Sequence, residues 1–236
     1  MFADLHHHLI YGIDDGAQTA EDMQQMLRRL SDNNVSAVAA TSHAEPGRQP
    51  FPLERYRKHL QEAQEWCDRQ GLPLRIYEGA EIFYTDDTVR LLDEGQIPTI
   101  AGQRTVLVEF SPAVPYDHVY KAVRKLGNAG YMVILAHAER YRCLRKIGYV
   151  EELREEFGAL IQINARTLIE PGGFMIRRWL RKMMGAGYCD LAATDAHNVS
   201  LRSCMMQRCY DTLNSDWGEE IAIRMCINTP LQLLRS

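Results

Sequence analysis

Metal-ligand side chains recur at the ends of short apolar segments along this chain. Seven apolar stretches run directly into histidine, aspartate, glutamate or asparagine. The endings are His6 with His8, His43, Glu81, Glu109, His137, Asn164, and Asp195 with His197. Imidazole and carboxylate groups that converge form a site for divalent metal ions. A fold that brings these endings together would therefore create a metal centre.

Two of the endings carry paired ligands at alternate positions. In a strand, alternate residues share a face, so His6 and His8 should point together while His7 points away. Asp195 and His197 have the same spacing, and each pair could hold one ion from two donors. Three consecutive histidines also occur in remnants of purification tags, but the flanking residues here are typical of a native strand.

Carboxylates supply the other donors. Glu81 and Glu109 end apolar stretches, where an unpaired buried charge would be very costly. A salt bridge is the ordinary explanation for each, but their common position, together with His43, favours a metal site. Asp15 lies between glycines in Gly12–Gly16, where the backbone can bend and present a carboxylate. Taken alone, that segment would be an ordinary turn.

Two arginines accompany the candidate ligands. Arg140 follows His137 by three residues, and we expect Arg202 to lie one helical turn beyond Asp195 and His197. A guanidinium group can bind two phosphate oxygens at once. The histidines His7, His59 and His118 are predicted to lie outside the site, with His59 facing solvent.

The apolar stretches alternate with amphipathic helical patterns. The first helix is expected after an N-cap at Thr19, and the second ends at Gly71. Further helices are predicted at about 85–94, 117–129, 149–157, 174–186, 199–214 and 218–227. Strand alternating with helix indicates a parallel sheet. All seven predicted strands end in polar residues, whereas the site of an open sheet would lie at one switch point. A closed or nearly closed (β/α)7 barrel is therefore favoured over an open sheet. We expect it to form a single domain, 1–236.

Composition is typical of a soluble globular protein, with 46% hydrophobic and 25% charged residues. The net charge of −4 and the absence of long charged blocks do not indicate nucleic acid or anionic membrane as partners. No apolar run approaches the ~18 residues of a membrane span, so membrane insertion is not expected. The six irregularly spaced cysteines favour reduced thiols and a cytoplasmic location over a disulfide framework.

The ordered motifs resemble those of the polymerase-and-histidinol-phosphatase (PHP) superfamily. The motifs are DLHHH, GIDDGA, TSH, GAE, VLVEF, AHAER, QINA and TDAHN, and they extend over residues 2 to about 235. Within that superfamily, the chain is most similar to the bacterial metal-dependent protein-tyrosine phosphatases of capsule and exopolysaccharide gene clusters. The pattern HxHxxxGxDDGA, the AHxER segment and the DAHN segment carry this resemblance.

The resemblance implies a distorted seven-stranded β/α barrel, TIM-like, with a trinuclear metal site at the carboxyl ends of the strands. Manganese is the expected metal, with iron or zinc as alternatives. The first ion would be held by His6, His8, Glu81 and Asp195, the second by Glu81, Glu109 and His137, and the third by Asp15, His43 and His197. Arg140 and Arg202 match the arginines that would bind the substrate phosphate. Ala138 departs from the family pattern, which often has proline there.

The implied function is metal-dependent hydrolysis of phosphotyrosine on a protein substrate, expected to be a membrane-associated tyrosine autokinase. The metals would make hydroxide available near neutral pH, and the arginines would neutralise charge on the outer phosphoryl oxygens. The sequence contains no Cys-x5-Arg phosphate loop. Three alternatives stay open: a phosphatase for a small phosphate monoester such as histidinol phosphate, a metal-bearing regulatory protein without turnover, and another hydrolase with an HxH barrel. The last usually has a lysine ligand at a strand end, and no predicted strand here ends in lysine. An oligomer is also possible.

Overall fold

Seven parallel strands follow one another around the molecule in chain order. The computed structural model describes residues 1–235, and each strand pairs with the next along the chain. The strands are β1 (Phe2–His7), β2 (Val35–Ala44), β3 (Arg75–Phe83), β4 (Thr105–Glu109), β5 (Met132–Leu135), β6 (Leu160–Asn164) and β7 (Leu191–Ala193). All six pairings are parallel. The predicted parallel β/α architecture is therefore confirmed.

Hydrogen bonds at the carboxyl ends bridge the gap between the first and last strands. The backbone N–H of Asp195 donates to the carbonyl of His6 at 2.8 Å, and the N–H of His8 donates to the carbonyl of Ala196 at 2.9 Å. Both hydrogen bonds join the carboxyl end of β1 to the residues just after β7. The sheet is thus a nearly closed barrel, drawn together at the end that carries the candidate site.

Helices lie between successive strands in the chain and also follow the last strand. They are α1 (Ala20–Asp32), α2 (Leu53–Gln70), α3 (Thr88–Asp93), α4 (Tyr116–Asn128), α5 (Ile147–Phe157), α6 (Ala165–Ile169), α7 (Phe174–Gly185), α8 (Met206–Trp217), α9 (Glu219–Ile223) and α10 (Thr229–Leu233). Thr19 caps α1 in a reciprocal pair with Asp22, as its position predicted. Gly71 ends α2 in the left-handed conformation, with φ of 66°.

One predicted helix begins later than expected. The pattern at 199–214 predicted a helix directly after β7, but α8 starts at Met206. The side chain of Asn198 accepts backbone N–H groups from Ser200 and Arg202, each at 3.0 Å, and so holds a turn instead of a helix. Arg202 therefore lies on a loop at the barrel mouth and not one helical turn beyond the strand.

Apolar side chains fill the molecule in two layers. An outer layer packs the strands against the helices and includes Leu27, Leu30 and Leu126. A smaller inner cluster fills the barrel interior below the strand ends. Its members are Ala3, Leu5, Ala37, Ala39, Ile100, Leu107, Ile134, Ala136, Leu191, Leu233 and Leu234. The candidate site therefore rests on an apolar floor formed by this cluster, as in barrels whose interior is packed with side chains.

The six cysteine thiols are free, and five of them are buried. This confirms the prediction of reduced thiols over a disulfide framework.

Within residues 1–235, no helix combines the length and hydrophobicity needed to cross a lipid bilayer.

A buried tyrosine ties together the two strands that carry His43 and Glu81. The hydroxyl of Tyr56 donates to the Ala40 carbonyl at 2.6 Å and accepts the Gly79 N–H at 2.9 Å. The Tyr56 side chain is fully buried. Its hydroxyl thus satisfies one polar backbone group on each strand.

We expect Tyr56→Phe to lower the free energy of unfolding by about 1–3 kcal/mol, because it leaves a buried carbonyl and a buried N–H without this partner. Urea denaturation followed by circular dichroism measures the change. Tyr188→Phe is the control, since that hydroxyl is solvent-accessible and bonds to the side chain of Glu151. Equal stability of the Tyr56 variant and the wild type would contradict this role.

Candidate metal centre

Three of the candidate ligands follow directly from the alternation of their strands. Ala39 and Leu107 point into the barrel interior, and residues at even offsets along a strand share a face. His43 is four residues beyond Ala39, and Glu109 is two beyond Leu107. Glu81 pairs with His43 in register between β2 and β3. These side chains therefore converge over the apolar floor.

The paired histidines of β1 reach the site through a break in the alternation. Ala3 and Leu5 belong to the inner cluster, so strict alternation would direct His6 and His8 outward. The register between β1 and β2 shifts between Asp4 and His7, which is the signature of a β-bulge. The bulge turns both imidazoles toward the barrel mouth.

Two further ligands are placed by unusual backbone conformations. His137 has φ of 33° and Asp195 has φ of 53°, in the left-handed region that residues with a side chain rarely adopt. His137 comes one residue after the inward-facing Ala136, so alternation alone would point its side chain away from the interior. The backbone turn corrects this direction. Such strain is typical of functional sites, where surrounding structure maintains it.

The first group of donors consists of His6, His8, Glu81 and Asp195. The Nε2 atoms of His6 and His8 are 3.2 Å apart, and the Oε2 atom of Glu81 lies 3.0 and 3.2 Å from them. The Oδ1 atom of Asp195 is 3.5 Å from one and 3.6 Å from the other. All four side chains are buried. The family resemblance implies the same four residues for the first ion.

The second group surrounds the carboxylates of Glu81 and Glu109. The Nδ1 atom of His43 lies 3.2 Å from Glu81 and 3.6 Å from Glu109. The Nε2 atom of His137 lies 2.7 Å from the other oxygen of Glu81 and 3.5 Å from Glu109. Glu81 therefore reaches the first and second groups with the same carboxylate. The compact ligand group here consists of His43, Glu81 and Glu109. His137, which was expected in it, borders the group through its contacts with the two carboxylates.

The third group lies nearer to solvent. The Oδ1 atom of Asp15 is 3.4 Å from Nε2 of His43 and 3.3 Å from Nε2 of His197, and His8 lies within the same group. His43 thus faces the second group with Nδ1 and the third group with Nε2. Asp15 is 64% exposed and His43 is 32% exposed, so this is the open side of the site.

The loop that carries Asp15 lies against β1 because of a glycine. A β-carbon built at Gly16 would lie 2.1 Å from the carbonyl oxygen of His8 and 2.5 Å from its β-carbon. No side chain fits in that space. Gly16 therefore allows the close approach that brings Asp15 to the third group.

Hydrogen bonds behind the ligands fix their orientation. The carboxylate of Asp14 accepts from Nδ1 of His8 at 2.7 Å and from the backbone N–H of His43 at 2.8 Å. The Oε1 atom of Gln162 lies 3.2 Å from Nδ1 of His6 and accepts the backbone N–H of His137 at 2.6 Å. Each bonded Nδ1 leaves Nε2 of the same ring directed into the first group, as in known metal sites.

The donor geometry fits divalent cations. For bonds of about 2.1 Å, neighbouring donors around one ion lie about 3.0–3.4 Å apart, close to the separations in the first group. The Oε2 atom of Glu81 and the Nε2 atom of His197 are buried without a hydrogen-bond partner in residues 1–235. Buried polar atoms normally have partners. These atoms, aimed at other donors, are the expected arrangement for residues that hold a metal.

Protonation of the metal-free cluster is uneven. Burial opposes the charged form of His8, but Asp14 and Glu81 outweigh it and raise its pKa to about 10. Burial also opposes the charged form of His137, while Glu109 and Glu81 raise its pKa to about 9. Burial and the charge on His8 lower the pKa of His197 to about 4, so that its ring is neutral.

Both predicted arginines lie at the edge of the site, where they bind the same carboxylate, that of Asp195. Arg140 donates to Oδ2 of Asp195 at 2.5 Å, and Arg202 donates to Oδ1 at 2.8 Å. Arg202 also lies 3.8 Å from Asp15. The two arginine side chains are 41% and 40% exposed. Their guanidinium groups therefore remain accessible from solvent beside the ligand groups.

Several residues that shape the site were not identified as functional from the sequence. Asp14 is adjacent to the predicted Asp15, and its proximity in sequence to HxH was the available signal. Gln162 is the first residue of the QINA motif, but its position inside a strand indicated no role for its side chain. Asn164, singled out only as a strand ending, donates to Asp195 at 2.9 Å.

The three excluded histidines belong to none of the ligand groups in residues 1–235. His7 is buried. The prediction that His59 faces solvent was wrong, because its ring is half-buried and stacks on Tyr11 at 3.8 Å. His118 is exposed and borders an aromatic cavity.

That aromatic cavity lies next to the ligand groups. It has a volume of about 370 Å³ and is lined by residues that include Phe83, Tyr84 and Phe110. Phe83 is two residues beyond Glu81, and Phe110 directly follows Glu109. The rings of Tyr84 and Phe110 are 5.7 Å apart. An apolar surface thus begins where the ligands of β3 and β4 end.

The nearly closed parallel barrel and its imidazole–carboxylate cluster define a β/α barrel of the metallohydrolase type. The family model described as "Capsular polysaccharide synthesis, CpsB/CapC" matches residues 2–235. The chain therefore belongs to the CpsB/CapC family.

Curated relatives extend over nearly the whole chain. The tyrosine-protein phosphatase CpsB of Streptococcus pneumoniae is 26% identical over 98% of this chain and 97% of its own length. The tyrosine-protein phosphatase YwqE of Bacillus subtilis is 26% identical over 98% of this chain and 91% of its own length.

Solved structures show the same fold. A structure from a study of YwqE from Bacillus subtilis and CpsB from Streptococcus pneumoniae, described as metal-dependent tyrosine phosphatases, matches with a TM-score of 0.88 and 24% identity, covering 99% of this chain and 94% of that one. Histidinol phosphate phosphatase from Lactococcus lactis, solved with zinc, histidinol and phosphate, matches with a TM-score of 0.63 and 12% identity over 94% and 93% of the two chains.

We expect Asp14→Asn to bind Mn²⁺ about 10–100-fold more weakly, because an amide cannot fix the tautomer and orientation of His8 in the same way. Competition with a chromogenic chelator measures the affinity. Asp216→Asn removes an exposed carboxylate far along the chain and serves as the control. Unchanged affinity in the Asp14 variant would show that this carboxylate does not support the site.

Metal binding should release protons and strengthen as the pH rises. In the metal-free protein His8 and His137, with pKa values of about 10 and about 9, are protonated at neutral pH. An ion must displace those protons, so affinity should increase from about pH 6 to about pH 8. Calorimetry in buffers of different ionisation enthalpy counts the released protons. A pH-independent affinity with no proton release would refute this reasoning.

Proposed function

We propose that this chain is a metal-dependent phosphomonoesterase that hydrolyses phosphotyrosine on a protein substrate. The observation that carries the proposal is the placement of two accessible arginines beside three converging ligand groups. Cations and guanidinium groups together suit a phosphate dianion. Membership of the CpsB/CapC family connects the activity to capsular polysaccharide synthesis.

We assign nine side chains as metal ligands. They are His6, His8, Asp15, His43, Glu81, Glu109, His137, Asp195 and His197. Nine donors are too many for one ion and suit two or three, with Mn²⁺ as the favoured metal and iron or zinc as alternatives, since the donors are a mixture of nitrogen and oxygen. When bound, such ions would supply nucleophilic water near neutral pH and offset charge on the phosphoryl group.

The arginines have a separate role in this scheme. Arg140 and Arg202 both donate hydrogen bonds to the carboxylate of Asp195. Their exposed guanidinium groups would turn to the outer phosphoryl oxygens when substrate enters. Donors fixed near developing negative charge stabilise the transition state strongly. Asp195 thus keeps both arginines at the mouth before substrate arrives.

The aromatic cavity beside Glu109 supports an aryl phosphate as the substrate. A phenyl ring attached to the bound phosphate needs apolar surface nearby, and Phe83 and Phe110 supply it. A small polar ester such as histidinol phosphate would leave this surface uncovered. The curated relatives CpsB and YwqE are named as tyrosine-protein phosphatases, which supports the same choice.

A cysteine nucleophile does not fit the structure. Burial raises the pKa of the Cys67 thiol to about 11, and the thiols of Cys204 and Cys209 are buried with pKa values above the ordinary range. Reactive thiols have lowered pKa values. The free state of all six cysteines supports a reducing, cytoplasmic location, where the substrate would be the cytoplasmic part of a membrane-associated tyrosine autokinase.

We expect His43→Ala and Asp195→Ala to reduce kcat for a phosphotyrosine peptide by at least about 10³-fold, because each removes a donor from the metal centre. His43 contributes to two groups, and Asp195 also holds both arginines. Turnover with added Mn²⁺ is measured by phosphate release, and metal content by elemental analysis. Circular dichroism confirms that the variants fold.

His59→Ala is the matched control, since that imidazole lies outside the ligand groups, and it should keep wild-type turnover. Full activity in either ligand variant would reject the metal mechanism. The same assay with histidinol phosphate identifies the substrate class. Faster turnover of histidinol phosphate than of the peptide would favour the small-monoester alternative, and no turnover of any ester by metal-loaded protein would indicate a regulatory role.

A further inference from the structure

Helix α7 presents a fully cationic polar face to solvent. Its apolar side is buried and consists of Trp179, Leu180, Met183 and Met184. The opposite side carries Arg177, Arg178, Arg181 and Lys182, all exposed. No aspartate or glutamate occurs between residues 171 and 189. We refer to these four cations, with Phe174, Met175 and Arg145, as the α7 face.

The cations of the α7 face lack acidic partners. Within residues 1–235, none of them forms a salt bridge. Other surface helices pair their charges four residues apart, as in Arg90 with Glu94 and Lys121 with Asp117. On α7 the same spacing places Arg178 beside Lys182, and like charges at this spacing destabilise a helix. The repulsion would be relieved by an anionic partner.

A neighbouring segment extends the positive surface. Arg145 lines a cavity of about 190 Å³ together with Arg178 and Lys182, and Met175 and Trp179 form its apolar wall. Arg142 and Lys146 are also exposed on that segment. Cations from two separate parts of the chain therefore surround one cavity, and their positive charge is complementary to the negative charge of a phosphate group.

Two large apolar side chains protrude from the same face. Phe174 is 74% exposed and Met175 is 61% exposed. At helical spacing Phe174 lies in line with Arg178 and Arg181. After β6 the chain forms the short α6 and then α7. The connection after a strand starts at its carboxyl end, so the first turn of α7 is expected on the same side of the barrel as the metal centre. A cluster of Lys and Arg on an amphipathic helix is typical of anionic-lipid binding, and protruding apolar side chains beside it can enter the interface.

We propose that the α7 face docks this protein peripherally on an anionic lipid membrane. The cations would bind headgroup phosphates, and Phe174 and Met175 would enter the interface. A fluid lipid surface accommodates protruding side chains without a shaped groove, whereas an acidic protein would have to match their shape. The net charge of −4 averages over the whole chain and does not reveal this local surface. Lipid docking by the α7 face does not depend on which ester the metal centre hydrolyses.

Sedimentation with lipid vesicles tests the proposal. The full chain should bind vesicles that contain phosphatidylglycerol and phosphatidylcholine, should bind pure phosphatidylcholine much less, and should be released by salt. The variant Arg178→Gln/Arg181→Gln/Lys182→Gln should lose binding by about 10-fold or more. Phe174→Ser/Met175→Ser should weaken binding and make the remainder more sensitive to salt.

A control variant with the same loss of charge, Arg55→Gln/Arg75→Gln/Arg235→Gln, removes exposed cations elsewhere and should bind as the wild type does. All variants should retain turnover of a soluble aryl phosphate, which shows that they fold. Absence of wild-type binding at low salt would overturn the proposal, as would an equal loss in the control. Self-association abolished by Phe174→Ser, without lipid binding, would instead assign this face to a second copy of the chain.

Discussion

The structure depends on the need to hold mutually repelling groups together at one end of a barrel. The imidazole nitrogens of His6 and His8 face each other at 3.2 Å, and four carboxylates meet at the same mouth. Without cations between them, such donors would separate or take up protons, as the raised pKa of His8 indicates. The barrel closure, the apolar floor and the hydrogen bonds of Asp14 and Gln162 all serve to keep this cluster in place.

Local irregularities are concentrated where the cluster is built. The bulge in β1, the left-handed backbone at His137 and Asp195, and the close approach at Gly16 all lie within the site. Each departs from the conformation that its element would otherwise adopt. Regular packing in the two apolar layers provides the stability that sustains these departures. The strained backbone and the unpartnered polar atoms at the barrel mouth are therefore maintained by the regular packing of the rest of the barrel.

The order of strands and helices could be predicted from the sequence more fully than the way in which the candidate ligands meet. Alternating strands and helices, the Thr19 cap and the ligands His43 and Glu109 follow from simple periodicity. The inward direction of His6 does not, because it requires a bulge that no local pattern marks. The double contribution of His43, the support from Gln162 and the late start of α8 depend on contacts between distant segments, and periodicity within one segment carries no information about them.

Clusters of positive and negative side chains are separate in this protein, and the net charge of −4 does not reveal this separation. Acidic ligands are gathered on the barrel axis, while the α7 face is cationic, and the two lie toward the same end of the fold.

The central claim is that nine side chains share divalent cations at the mouth. Anomalous diffraction from crystals grown with Mn²⁺ tests it most directly. The account predicts two or three peaks among these side chains, each about 2.0–2.3 Å from its donors. Ordered side chains with no peak between them, or peaks only elsewhere on the protein, would contradict it.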